Sequence, residues 1–109
     1  MDENTRIARL CKALGDPNRV EIIRRLQQGE TCACHLLKEL AVSQPTLSHH
    51  MRILTDAELV TARRGGKWVH YSLNDEGIAR NHEMMRALLF TRTSAEAPRT
   101  CCGNGETNK

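Results

Sequence analysis

Apolar residues fall at helical spacing along the first quarter of the chain. Ile7, Leu10, Cys11 and Leu14 make one stripe, and Gly15 closes it. Asp16-Pro17 then reads as an N-cap followed by proline in the first helical position. A second helix is predicted over 17–28, with Val20, Ile23 and Leu26 inward, Ile22 widening the stripe, and Gln28-Gly29 ending it. Beyond the break at Gly29-Glu30-Thr31, Leu36, Leu37 and Leu40 mark a short amphipathic helix over 34–40, with Cys32 and Cys34 at its start. Ala41-Val42-Ser43 is a tight turn. Ser43 caps a further helix over 44–57 that carries Pro45 in its first turn and turns Leu47, Met51 and Leu54 inward. Two short helices joined by a three-residue turn make a helix-turn-helix.

From Val60 the period changes. Val60–Arg64 and Lys67–Leu73 are two strand-like runs around a Gly65-Gly66 turn, hence a β-hairpin, or wing. Asn74 or Asp75 caps a last helix over 76–91, whose apolar positions Ile78, Met85, Leu88 and Leu89 follow a one-sided pattern loosely enough to suit a dimer interface. The pattern therefore predicts a mainly α fold with a β-hairpin, a winged helix-turn-helix, in one domain over 1–92. Residues 93–109 are polar and contain Pro and Gly; they read as a flexible tail carrying the vicinal pair Cys101-Cys102.

At 109 residues the core is small, which favours a homodimer. A net charge of +3, from 16 Lys and Arg against 13 Asp and Glu, permits nucleic-acid binding without making the chain polybasic. One Phe, one Trp and one Tyr supply no stacking platform for single strands, so duplex DNA is the better partner. No signal-peptide pattern and no run of 18 apolar residues is present, so a soluble cytoplasmic protein with no membrane partner is expected. Five cysteines in such a chain are expected to stay reduced, and their odd number argues against a closed disulfide framework. No Cys-x-x-Cys beside a strand-helix-strand pattern and no phosphate loop is visible, so no enzyme and no organic cofactor is expected.

With Leu47, Met51 and Leu54 in the core, the N-cap Ser43 and the outer-face residues Gln44, Thr46, Ser48, His49 and Arg52 can reach base edges and phosphates of a major groove. His50 lies on the inner side and is expected to pack or hydrogen-bond there. Arg63, Arg64 and Lys67 cluster at the wing tip, where they can hold the neighbouring backbone or minor groove.

The run Ser43–Leu54, followed by Gly65-Gly66-Lys67-Trp68-Val69-His70-Tyr71, resembles the ArsR/SmtB family of metal-responsive repressors, and the likeness covers about residues 5–92. The resemblance implies a homodimer built by the first and last helices, the reading helix in the major groove and the wing on flanking DNA. Cys32-Ala33-Cys34 matches the family's Cys-x-Cys signature, and thiolates select soft ions such as trivalent arsenic. Side chains at i and i+2 diverge on a helix, so both sulfurs meet one atom only where the backbone leaves the helix. The resemblance has gaps: His35 stands where an Asp often follows the second Cys, and Leu37 where arsenic sensors often place a third.

Arsenite wants three thiolates and a monomethylated arsenical two, so Cys101, Cys102 or Cys11 is left to complete a site, within one subunit or across the dimer. Cys11 also reads as a core or interface residue. The zinc ligands that a branch of the family carries on its last helix are not matched, since His82 is the one His there. The expected function is repression of an arsenic resistance operon, with arsenite, antimonite or methylarsenite as inducer. The alternatives are a Cd, Pb or Zn repressor that recruits His35, and a redox switch at Cys32/Cys34 or Cys101/Cys102.

Overall fold

A computed structural model describes residues 1–90. Helix α1 (Glu3–Leu14) starts at Asp2, whose carboxylate accepts from the Thr5 amide, and ends at Gly15. Leu10 and Ala13 are its buried residues. Ile7 is half-buried, and Cys11 and Leu14 are exposed, so the expected stripe is rotated: the small Ala13 takes the place against the core that Leu14 was expected to fill.

Helix α2 (Pro17–Leu26) is started by Asp16, which accepts from the amides of Asn18 and Arg19 at 2.9 and 3.2 Å, with proline in its first turn as predicted. Ile22 and Leu26 are buried and Val20 and Ile23 half-buried, and a charged residue, Arg19, is buried beside them. A short strand β1 (Thr31–Cys32), absent from the sequence expectation, leads into α3 (Ala33–Leu40). Ala41 then turns the chain with a φ of 54°, and Ser43 caps α4 (Gln44–Asp56) by accepting from the Thr46 amide. Leu47, His50, Met51 and Leu54 form the inner face of α4.

Strands β2 (Val60–Gly65) and β3 (Trp68–Leu73) are antiparallel, and β1 joins the far edge of β3, giving the order β1-β3-β2. Gly65 pairs with Trp68, so the loop consists of Gly66 and Lys67, one residue later than expected. Gly66 takes a φ of +66°, which a glycine tolerates without strain. Gly65 serves differently, because a Cβ there would stand 2.8 Å from the His70 ring.

Helix α5 (Asp75–Leu89) is capped by Asn74, which accepts from the Gly77 amide at 2.9 Å. Gly77 lies against the Glu58 carbonyl, and Asn81 donates to the Ala57 carbonyl at 2.9 Å, so the first half of α5 is fastened to the end of α4. One core joins the helices to the sheet through Leu10, Ile22, Leu36, Met51, Leu54 and Val60. Leu88, Leu89 and Phe90 at the end of α5 are each more than half exposed, and Leu14 at the end of α1 nearly so. No helix among the described residues is long and apolar enough to cross a membrane.

Candidate nucleic-acid interface and cysteine site

Helices α3 and α4 form the helix-turn-helix, and α4 presents to solvent the face expected from its pattern. Ser43, Gln44, Thr46, Ser48, His49 and Arg52 are all exposed. Ser43 donates its hydroxyl to Thr46 Oγ1 at 2.9 Å, so these two hydroxyls hold each other at the helix start. Among the described residues, no intramolecular hydrogen bond occupies the side chains of Gln44, Ser48, His49 or Arg52. They lie over the first two and a half turns of α4, and at Gln44 the positive end of the helix dipole favours phosphate.

In the wing, Lys67 stands in the loop, and Arg64 on the strand leading to it is likewise exposed. Arg63, grouped with them in the sequence reading, is directed elsewhere. It donates through Nε and Nη2 to the two carboxylate oxygens of Glu30 at 3.1 and 2.8 Å. The pairing holds the Glu30 carboxyl below its ordinary range and raises Arg63. Arg63 and Arg64 are neighbours on a strand and point to opposite faces, so they cannot share one role.

Cys32 ends β1 and is the N-cap of α3, with extended backbone (φ −72°, ψ 142°), whereas Cys34 is in the helix. This departure from helix turns the two side chains together across a Cα separation of 5.2 Å, and the structure joins them as a disulfide where reduced thiols were expected. The Cys34 amide donates to Cys32 Sγ at 3.2 Å. Cys32 is half-buried and Cys34 exposed. Across the sheet Cys32 pairs with His70, which pairs in turn with Arg63, so the cysteine site is in register with the wing.

Cys11 is exposed on α1. Cys101 and Cys102, with the tail from 93 onward, lie outside the described residues. The exposed His35 faces Glu39 at 3.4 Å. Among the described residues no three His, Cys, Asp or Glu side chains are grouped to hold a metal ion, which includes Asp75 and His82 of the last helix.

One buried cluster has no counterpart in the sequence pattern. Arg19, 8% exposed, donates Nε to the Ala13 carbonyl at 2.9 Å and Nη2 to the Lys12 carbonyl at 3.1 Å, and its Nη1 lies 3.0 Å from His50 Nδ1. His50 is buried, as its place on the inner side of α4 predicted, and its Nε2 is 4.0 Å from the Asp16 carboxylate. Burial lowers the His50 pKa; Arg19 adds to that effect and Asp16 opposes it. No pattern in the sequence distinguishes Arg19 from the exposed arginines around it.

The model of the family described as "Bacterial regulatory protein, arsR family" matches residues 16–62. The chain is 51% identical over 70 residues to the arsenical resistance operon repressor of Staphylococcus xylosus, covering 64% of this chain and 67% of that protein. It is 40% identical over 90 residues to a cadmium resistance transcriptional regulatory protein CadC homolog of Staphylococcus aureus, covering 82% of this chain and 73% of that one. The crystal structure of a possible transcriptional regulator for arsenical resistance superposes with a TM-score of 0.67 at 27% identity, covering 75% of this chain and 85% of that one.

Proposed function

The chain belongs to the arsR family of bacterial regulatory proteins, and from that premise we propose a repressor that grips operator DNA as a dimer and lets go when Cys32 and Cys34, as thiolates, capture trivalent arsenic. Helix α4 enters the major groove. Gln44, Thr46, Ser48, His49 and Arg52 meet base edges and phosphates, Ser43 orders the helix start, and Arg64 and Lys67 hold flanking backbone. A second copy covers the apolar ends of α1 and α5, where Leu14, Leu88, Leu89 and Phe90 stand exposed.

The observation that carries the effector reading is the convergence of the two sulfurs at the first turn of α3. In reduced form they offer two soft donors to one atom. Metalloid bound between them pins the residue that caps α3 to a residue inside it. That fixes the start of the helix that supports α4 through Ala41-Val42, and through β1 it reaches the wing. A coupling of about 1–3 kcal/mol between the sites changes operator affinity by about 5- to 150-fold. A monosubstituted arsenical is satisfied by these two sulfurs. Arsenite or antimonite requires a third, from Cys11, Cys101 or Cys102.

The test is release of a fluorescent operator fragment in excess reductant during titration with arsenite, methylarsenite, Cd(II) and Zn(II). Methylarsenite is expected to release the wild type and the Cys101→Ser/Cys102→Ser variant, and to leave Cys32→Ser/Cys34→Ser on DNA. Release by Cd(II) or Zn(II) alone would instead make the protein a divalent-metal repressor, in line with its likeness to the cadmium regulator. The Cys32–Cys34 disulfide favours a second reading, in which oxidation of the pair is itself the signal. Release by an oxidant, with no response to any metal or metalloid under reductant, would establish that reading.

A further inference from the structure

We propose that Arg19 and His50 form a joint that sets the angle between α4 and α1, and so fixes the half-site separation that the dimer accepts. The proposal rests on the dimer reading above, because α1 is then the element referenced to the partner subunit.

Three elements meet at the Arg19 guanidinium. Its own helix is α2, and it donates to the carbonyls of Lys12 and Ala13 in the last turn of α1, where carbonyls lack helical donors and the dipole is negative. Its remaining arm reaches His50 on the inner face of α4. An arginine cannot accept, so Nδ1 of His50 carries the lone pair and Nε2 the proton. That proton faces the carboxylate of Asp16, the residue that caps α2 and already accepts from the Asn18 and Arg19 amides. A polar chain thus runs from the end of α1 through Arg19 to His50, with the Asp16 carboxylate 4.0 Å beyond the ring.

Burial gives this chain its force. Arg19 and His50 are 8% and 7% exposed, so a rotation of α4 that breaks the contact leaves a desolvated charge and a desolvated ring nitrogen without partners. Apolar packing among Ala13, Leu47 and Met51 has no preferred direction, whereas the planar guanidinium fork donates to its partners at one set of angles. Helix α4 has 13 residues and is about 20 Å long. His50 stands at the middle of the helix, so a swing of about 20° about it displaces the tip by about 3.5 Å, one base-pair rise. Loosening the joint therefore relaxes spacing before it abolishes DNA binding.

The experiment measures binding to operators whose half-sites are moved apart by one and two base pairs, together with sequence-unrelated DNA. Wild type, His50→Asn, His50→Leu and Arg19→Lys are compared, with sedimentation and circular dichroism on each. Asparagine places an oxygen near the position of Nδ1 and retains the acceptor. Leucine removes it, and lysine cannot span the three acceptors.

Wild type and His50→Asn are expected to lose about tenfold in affinity per inserted base pair. His50→Leu and Arg19→Lys should bind the whole series within about threefold, with affinity for unrelated DNA unchanged. A flat wild-type profile overturns the dimer reading, and the joint with it. A sharp wild-type profile that stays equally sharp in a folded His50→Leu or Arg19→Lys protein overturns the joint alone.

Discussion

Replacing Glu30 with glutamine tests whether the wing holds one of its cations in reserve. Both carboxylate oxygens of Glu30 accept from Arg63, at 3.1 and 2.8 Å, and the pair is solvent-exposed. In that arrangement the charge of Arg63 is neutralised locally and adds no net phosphate contact. Glu30→Gln keeps the size of the side chain and removes its charge, freeing Arg63 to turn to the DNA backbone. One added phosphate contact steepens the dependence of log affinity on log salt by about 0.9. Between 50 and 200 mM salt, a fourfold change, the variant should lose about 3.5-fold more affinity than the wild type. Fluorescence anisotropy of a labelled operator across that range reads this directly. Arg63→Gln alone should leave the wild-type slope unchanged, and the double variant should return to it. If Arg63→Gln alone flattens the slope by about 0.9, Arg63 already sits on a phosphate and the reasoning is refuted.

Two further outcomes follow from the packing. A Cβ at Gly77 would lie 2.0 Å from the Glu58 carbonyl oxygen, so Gly77→Ala must push α5 away from the end of α4; a loss of about 1–3 kcal/mol in denaturant unfolding is expected, and an unchanged midpoint would contradict the close approach. His50 is held below its ordinary value of 6.5 by burial, with Arg19 adding to the effect. The unfolded chain then binds more protons below that value, so stability is complete above about pH 6.5 and falls as the pH drops toward the folded-state pKa. That part of the pH dependence should vanish in His50→Asn, and a wild-type curve identical to the variant's between pH 5 and 7.5 would oppose the neutral-histidine reading.

What the sequence disclosed and what it hid follow from the range of the interactions involved. The caps Asp16, Ser43 and Asn74 act within three residues, and the outward face of α4 follows from Leu47, Met51 and Leu54, so these features are legible. Strand β1 has two residues, too few for a period, and depends on pairing with Tyr71 and His70 nearly forty residues away. The hairpin was legible but its loop is displaced by one residue, because Gly65 is needed beside the His70 ring and Gly66 at the turn. Arg63 belongs with the wing by position and with Glu30 by contact, an ion pair across 33 residues that no local pattern signals. Arg19 reads as a surface residue, and becomes a core residue only because the carbonyls of α1 and the ring of His50 surround it. The convergence of Cys32 and Cys34 was foreseeable in its condition, that the chain leave the helix between them; the extended backbone at Cys32 meets that condition.

Opposition between the cysteine site and the DNA surface can be read from the ligand side. The affinity of the reduced protein for methylarsenite is measured with and without saturating operator, in the wild type and in Cys32→Ser/Cys34→Ser. Linkage requires operator to weaken arsenical binding by the same factor by which the arsenical weakens operator binding, about 5- to 150-fold, with no such coupling in the double variant. Equal arsenical affinity with and without operator would mean that the two sites are uncoupled and that Cys32 and Cys34 do not control DNA binding.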